Sequence, residues 1–255
     1  ILLKRLTIKN LSISKGFLGA LEINNCTISN CKLSNFETEK TNDIKNFNQI
    51  VFKSNTQCLE NLLIERLSYF LISFENSSFE KDVNISSCNL SMLLFENSIF
   101  KENIFIEYGN IDEFYIRGGN FSKEFKIDNS IELSDGLKMS GKIEKLILGN
   151  TVNYLSKKII FSGGACSDID ISIHGNNNNI DAIIFEKDFI PKNVKIVGNQ
   201  SAFVQRLILK NILFFTGTTI KLDSLNFYGI EFENIANFSN IIFSGVKSTK
   251  ETLSS

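Results

Sequence analysis

One short run in the chain sets acid, hydroxyl and imidazole side chains in alternation with isoleucine: Asp168-Ile-Asp-Ile-Ser-Ile-His174. In an extended strand successive side chains point to opposite faces. Ile169, Ile171 and Ile173 therefore turn inward, and Asp168, Asp170, Ser172 and His174 turn outward. Two carboxylates and an imidazole on one face are groups that acid–base catalysis or metal ligation uses. Asp168, Asp170 and His174 form the candidate polar site, as a carbohydrate-active or carbohydrate-binding protein would need. The simpler reading is a solvated face. His174 is the only histidine in the chain, and Asn193 and Lys195 fall beside the run one repeat later.

Other reactive residue types carry less. The five cysteines (Cys26, Cys31, Cys58, Cys88 and Cys166) are odd in number and include no C-x-x-C. Zinc-site spacing is therefore missing, and no metal or cofactor is expected. Buried free thiols are the expectation, which favours a reducing, cytoplasmic setting. Gly118-Gly119, Gly163-Gly164 and Gly217 follow apolar runs, but no helix follows them as a phosphate loop requires. They read as corners with positive φ. Lysine and arginine number 27 against 28 acids, a balance that gives no general field for nucleic acid. No run approaches the length of a membrane span, and no signal peptide is visible. The first residues are Ile-Leu-Leu rather than Met, which suits a processed chain or a piece of a larger one.

The elements that must position these residues are set by a repeat. Phe79, Phe100 and Phe121 stand 21 apart, as do Phe74, Phe95 and Ile116. Val83, Ile104 and Phe125, and Ile85, Ile106 and Ile127, keep the same step. Apolar columns in register at that spacing let each turn stack its inward residues on those of the next. Inward positions recur about every five residues, which fits neither a helix nor one long strand. Short strands joined by corners remain. The expected fold is all-β, a four-sided parallel β-helix with coils of about 20–24 residues, roughly ten in all. The 23 Phe with no Trp suit a dry stacked interior, where an indole N–H would lack a partner.

The units Cys26-Thr-Ile-Ser-Asn and Cys31-Lys-Leu-Ser-Asn, ending at Phe36, put a small residue two places before Ile28 and Leu33. Here the chain resembles the pentapeptide-repeat family, sharply over residues 21–36 and loosely over 71–133 and 159–245. The resemblance implies a right-handed β-helix and a role as scaffold or binding surface. Some such proteins protect topoisomerases by mimicking DNA, a reading that the near-neutral charge weakens.

One domain is expected over residues 1–245, followed by a polar tail over 246–255. Residues 37–49 are polar and read as looping out. Residues 57–70 place Leu59, Leu62, Leu63, Leu67 and Phe70 near helical spacing, so 37–70 reads as an insertion, a short helix or a distorted coil. Asn76 and Asn97, also 21 apart, suggest an amide ladder at one corner. One position before the inward anchors stand Leu94, Tyr115, Ile160, Ile184 and Ile208, with Met92 beside them. Pointing outward on stacked coils, they make an apolar stripe, the mark of a partner surface or of a face covered from within. The expected function is a non-catalytic scaffold, not an enzyme. It would bind another protein or a second copy through this flat face.

Overall fold

The computed structural model describes residues 1–17, 19–37, 48–134, 137–149, 153–154, 158–173, 179–199, 202–214, 217–236 and 240–248. These contain strands and no helix, and every pairing between them is parallel. The chain is a right-handed parallel β-helix with four sides, each coil pairing with the coils on either side of it. One long side keeps an anchor in register on coil after coil. Its inner column runs Ile23, Phe52, Phe74, Phe95, Ile116, Met139, Phe161, Phe185 and Leu209, residue on residue. All of these are buried.

Stacking explains the phenylalanine bias. On the long side Phe52, Phe74 and Phe95 lie nearly parallel, with ring centroids 5.3 and 4.9 Å apart. On the short second side Phe79, Phe100 and Phe121 repeat the arrangement at 4.7 and 5.1 Å. The two stacks meet edge to face, Phe74 on Phe79 at 5.2 Å and Phe95 on Phe100 at 5.4 Å. Offset stacks crossed by edge contacts satisfy the ring quadrupoles as well as filling volume.

Corners follow from backbone sterics. The first corner takes a left-handed residue on coil after coil: Asn25, Asn76, Asn97, Asn211 and Asn234, all near φ +50. Asparagine tolerates that conformation best among residues with a side chain. Gly118 takes the same place at φ +72, where a Cβ would stand 2.4 Å from the Asn97 Oδ1. Just inside this corner sit small hydroxyl residues that answer backbone groups. The Ser98 hydroxyl lies 3.0 Å from the Phe74 carbonyl and accepts the Ser77 N–H at 3.1 Å. Thr56 and Ser140 do the same on other coils. Each joins neighbouring coils where the ladder turns, and so supplies backbone groups there with a partner.

All five cysteines are buried and unbridged. Burial pushes the thiols of Cys31 and Cys166 up to about 12 and that of Cys88 to about 11. Desolvation in the packed interior favours the neutral thiol at these three positions.

Several expectations need correction. Residues 57–70 are regular coil, not helix: strands Gln57–Cys58 and Leu62–Glu75 run through them. Cys58, Leu62, Ile64, Leu67 and Tyr69 turn inward there, while Leu59 is 39% exposed. Of the polar run 37–49, Glu37 and Gln49 belong to strands, and residues 38–47 lie outside those described. Asn76 and Asn97 form no side-chain ladder. Their backbone N–H groups bond instead to the carbonyls of Glu96 and Arg117. The tail begins later than expected, because Val246 packs against the core and Lys247–Ser248 pairs with Asn226–Phe227. Residues 249–255 lie outside the described chain.

Candidate binding face

The long side positions the outward stripe. Alternation about the buried anchors gives it an outer column that runs Glu22, Val51, Ser73, Leu94, Tyr115, Lys138, Ile160, Ile184, Ile208 and Glu231. Leu94, Tyr115, Ile160, Ile184 and Ile208 thus stand in one register column despite insertions that change the coil length. Their surroundings divide the column into two parts.

In the first part the outward residues are covered. Val51 is 6% exposed, Ser73 0% and Leu94 8%, although Val51 and Leu94 lie outside the main core cluster. Leu94 therefore offers little surface, and Met92 beside it is only half-buried. In the second part Ile160, Ile184 and Ile208 are half-buried and adjacent, each pairing with the next. Tyr115 is separated from them by Lys138, which the turn at Leu137 brings into full register. The Lys138 ammonium lies 5.5 Å from the Tyr115 ring centroid, and the Arg117 guanidinium 4.9 Å. Tyr115 is thus held under cations. The stripe is not continuous. It is a three-isoleucine ribbon with a cationic end.

Charged residues flank that ribbon. Lys158 and Arg206 stand on one edge, and Glu186 and Lys210 on the other. Arg206 reaches Glu231 at 3.6 Å and Lys210 reaches Glu233 at 2.7 Å. The Lys210 pKa is raised, chiefly by its hydrogen bond to Glu233. An apolar strip with a polar rim is the layout of a docking surface. Sequence reasoning missed Lys138 and Glu231 as its ends. The signal was there, since Lys138 immediately precedes the inward Met139 as Ile160 precedes Phe161.

The candidate polar site lies on the third side. Asp168 and Asp170 share a shallow depression of about 320 Å³ with Lys145, Asn193, Lys195, Thr219 and Lys221. The Asn193 amide donates to Asp168 at 2.7 Å, Lys145 is paired with Glu124 at 3.2 Å, and Asp170 stacks on Lys195. His174 lies outside the described residues. Among the described residues no three His, Cys, Asp or Glu side chains converge as metal ligands would. Here the carboxylates sit among lysines and an amide, a neutralised surface lattice. A second depression, also about 320 Å³, follows the first corner and is lined by neutral groups including Gln57, Asn76, Ser78 and Asn97.

Among the described residues no helix is long and apolar enough to cross a membrane. No family model matches the chain, and neither a curated protein nor a solved structure does.

Proposed function

We propose that the protein is a non-catalytic binding scaffold of the pentapeptide-repeat kind, and that the second half of its long side docks a protein surface. The observation that carries this reading is the ribbon of Ile160, Ile184 and Ile208. Three large aliphatic side chains stack outward on adjacent coils, in register, inside a charged rim. Apolar residues gathered on a flat, rigid sheet bind without an ordering cost, because the strands already hold them. DNA mimicry is less well supported. Outward charges meet across coils as opposite pairs, such as Lys53–Glu22, Lys101–Glu80 and Lys145–Glu124, rather than as an acidic face. Carbohydrate chemistry at Asp168 and Asp170 is disfavoured by the lysines that surround them.

Site-specific photocrosslinking tests the docking reading. A benzophenone side chain is placed at position 184, or at position 195 on the third side as a control, in cells carrying the natural protein. Adducts from position 184 and none from 195 are expected. No adduct from 184, or equal capture from both sides, would sink the proposal.

A further inference from the structure

Two cations converge on one ring where the isoleucine ribbon begins. The Arg117 guanidinium and the Lys138 ammonium lie 4.9 and 5.5 Å from the Tyr115 ring centroid. The ring attracts each of them, yet it holds two like charges side by side. Lys158 adds a third cation on the next coil, two places before Ile160. Among the described residues none of the three forms an ion pair, although Glu96 stands in register with Arg117 and Glu113 lies two places before Tyr115. The other end of the ribbon differs. Glu186 pairs with Lys187 at 3.5 Å, Glu231 with Arg206 at 3.6 Å and Glu233 with Lys210 at 2.7 Å. One end is neutralised from within, and the other keeps its positive charge.

From this asymmetry we propose that the occupant of the ribbon is an acidic protein segment, whose carboxylates meet Arg117, Lys138 and Lys158 while its apolar side chains cover Ile160, Ile184 and Ile208. This rests on the docking reading above and names the chemistry of the partner. Lys138 and Ile160 are neighbours in one column, so the cationic end and the apolar strip form one continuous surface. Apolar contact supplies the affinity, and the charges fix which way the partner lies, with its acids at the Tyr115 end. An anionic bilayer fits this face less well. Glu186, Glu231 and Glu233 would be pressed against its headgroups, and the isoleucines are half-buried rather than projecting. With coils about 4.8 Å apart, the surface from Tyr115 to Ile208 spans about 20 Å. A short segment covers it, which suits a transient contact rather than a permanent one.

Photocrosslinking from position 184, repeated in charge variants and followed by mass spectrometry of the adduct, tests this. The crosslinked segment is expected to carry Asp or Glu beside apolar residues. Lys138→Glu should lower the adduct yield by about 3- to 10-fold. Lys158→Glu, on the neighbouring coil, should act in the same direction, so a folding defect in one variant does not hide the effect. Lys195→Glu on the third side makes the same change in net charge and should leave the yield unchanged. Circular dichroism of each purified variant should match wild type. A basic or uncharged crosslinked segment overturns the inference, as does a yield that Lys138→Glu and Lys158→Glu lower no further than Lys195→Glu. A lipid adduct, with co-sedimentation of the purified chain on phosphatidylserine vesicles, refutes a protein partner. The outcomes separate the two proposals. Protein adducts that persist through both charge reversals refute the acidic partner and leave docking standing, whereas the absence of any adduct refutes docking and this inference with it.

Discussion

Phe95 is the residue whose removal should tell most about how this solenoid is held. Its ring is 0% exposed and lies within 4.9–6.0 Å of the rings of Phe74, Phe100, Phe114, Phe121 and Phe125. Those neighbours belong to its own coil and to the coils on both sides. Phe95→Ala forfeits the transfer energy of a buried ring and leaves a cavity that rigid sheets cannot close, a loss of about 3–5 kcal/mol. Lost ring–ring contacts place it near the upper end of that range. Phe243 is the matched control. It stands in the inward column of the third side, stacked on Leu222, yet it is 53% exposed on the terminal coil. Phe243→Ala should cost well under half as much. Equilibrium urea unfolding, followed by far-ultraviolet circular dichroism, measures both. With an m-value near 3 kcal/mol/M, Phe95→Ala lowers the midpoint by about 1 M or more. If the two variants lose the same stability, the stacked interior is not what holds the coils together and the reasoning is wrong.

Two further outcomes follow from the corner and the core. Ser98→Ala strands the Ser77 N–H and the Phe74 carbonyl in a buried corner, so thermal melts should report a loss of about 1–3 kcal/mol, and an unchanged melt would refute the ladder's role. Stability should also fall in alkali. Cys31, Cys88 and Cys166 are raised from 9.0 to about 12, 11 and 12, so above pH 9 the unfolded chain releases thiol protons that the folded chain retains. Each thiol should then cost up to about 1.4 kcal/mol per pH unit between 9 and its folded value, with no effect below the unfolded value. A flat urea midpoint from pH 8.5 to 10.5 in reductant would contradict this.

Periodicity was legible wherever an apolar residue faced in and a polar one faced out. Phe74, Phe95 and Ile116 could be aligned from spacing alone, because stacking demands that equivalent residues recur each turn. The same logic failed at residues 57–70. There Leu63 points outward between inward Leu62 and Ile64, so an apolar exterior residue hid the alternation and imitated a helical stripe. In isolation that segment has no reason to prefer a strand. Between two coils, whose edges offer hydrogen bonds on both sides, it has one.

The outward stripe shows the same division. That Ile160, Ile184 and Ile208 share a face follows from their place before Phe161, Phe185 and Leu209, so it is a property of the sequence. Local alternation determined the inward anchors, the left-handed corners and the solenoid itself. Which outward residues are adjacent, covered or opposed in charge depends on how coils of unequal length come into register. Val51 and Leu94 are buried, Lys138 parts Tyr115 from the isoleucines, and Glu231 closes the column at the other end. Only tertiary structure decided these, because the contacts join residues about one coil apart and no local rule measures the length of a corner.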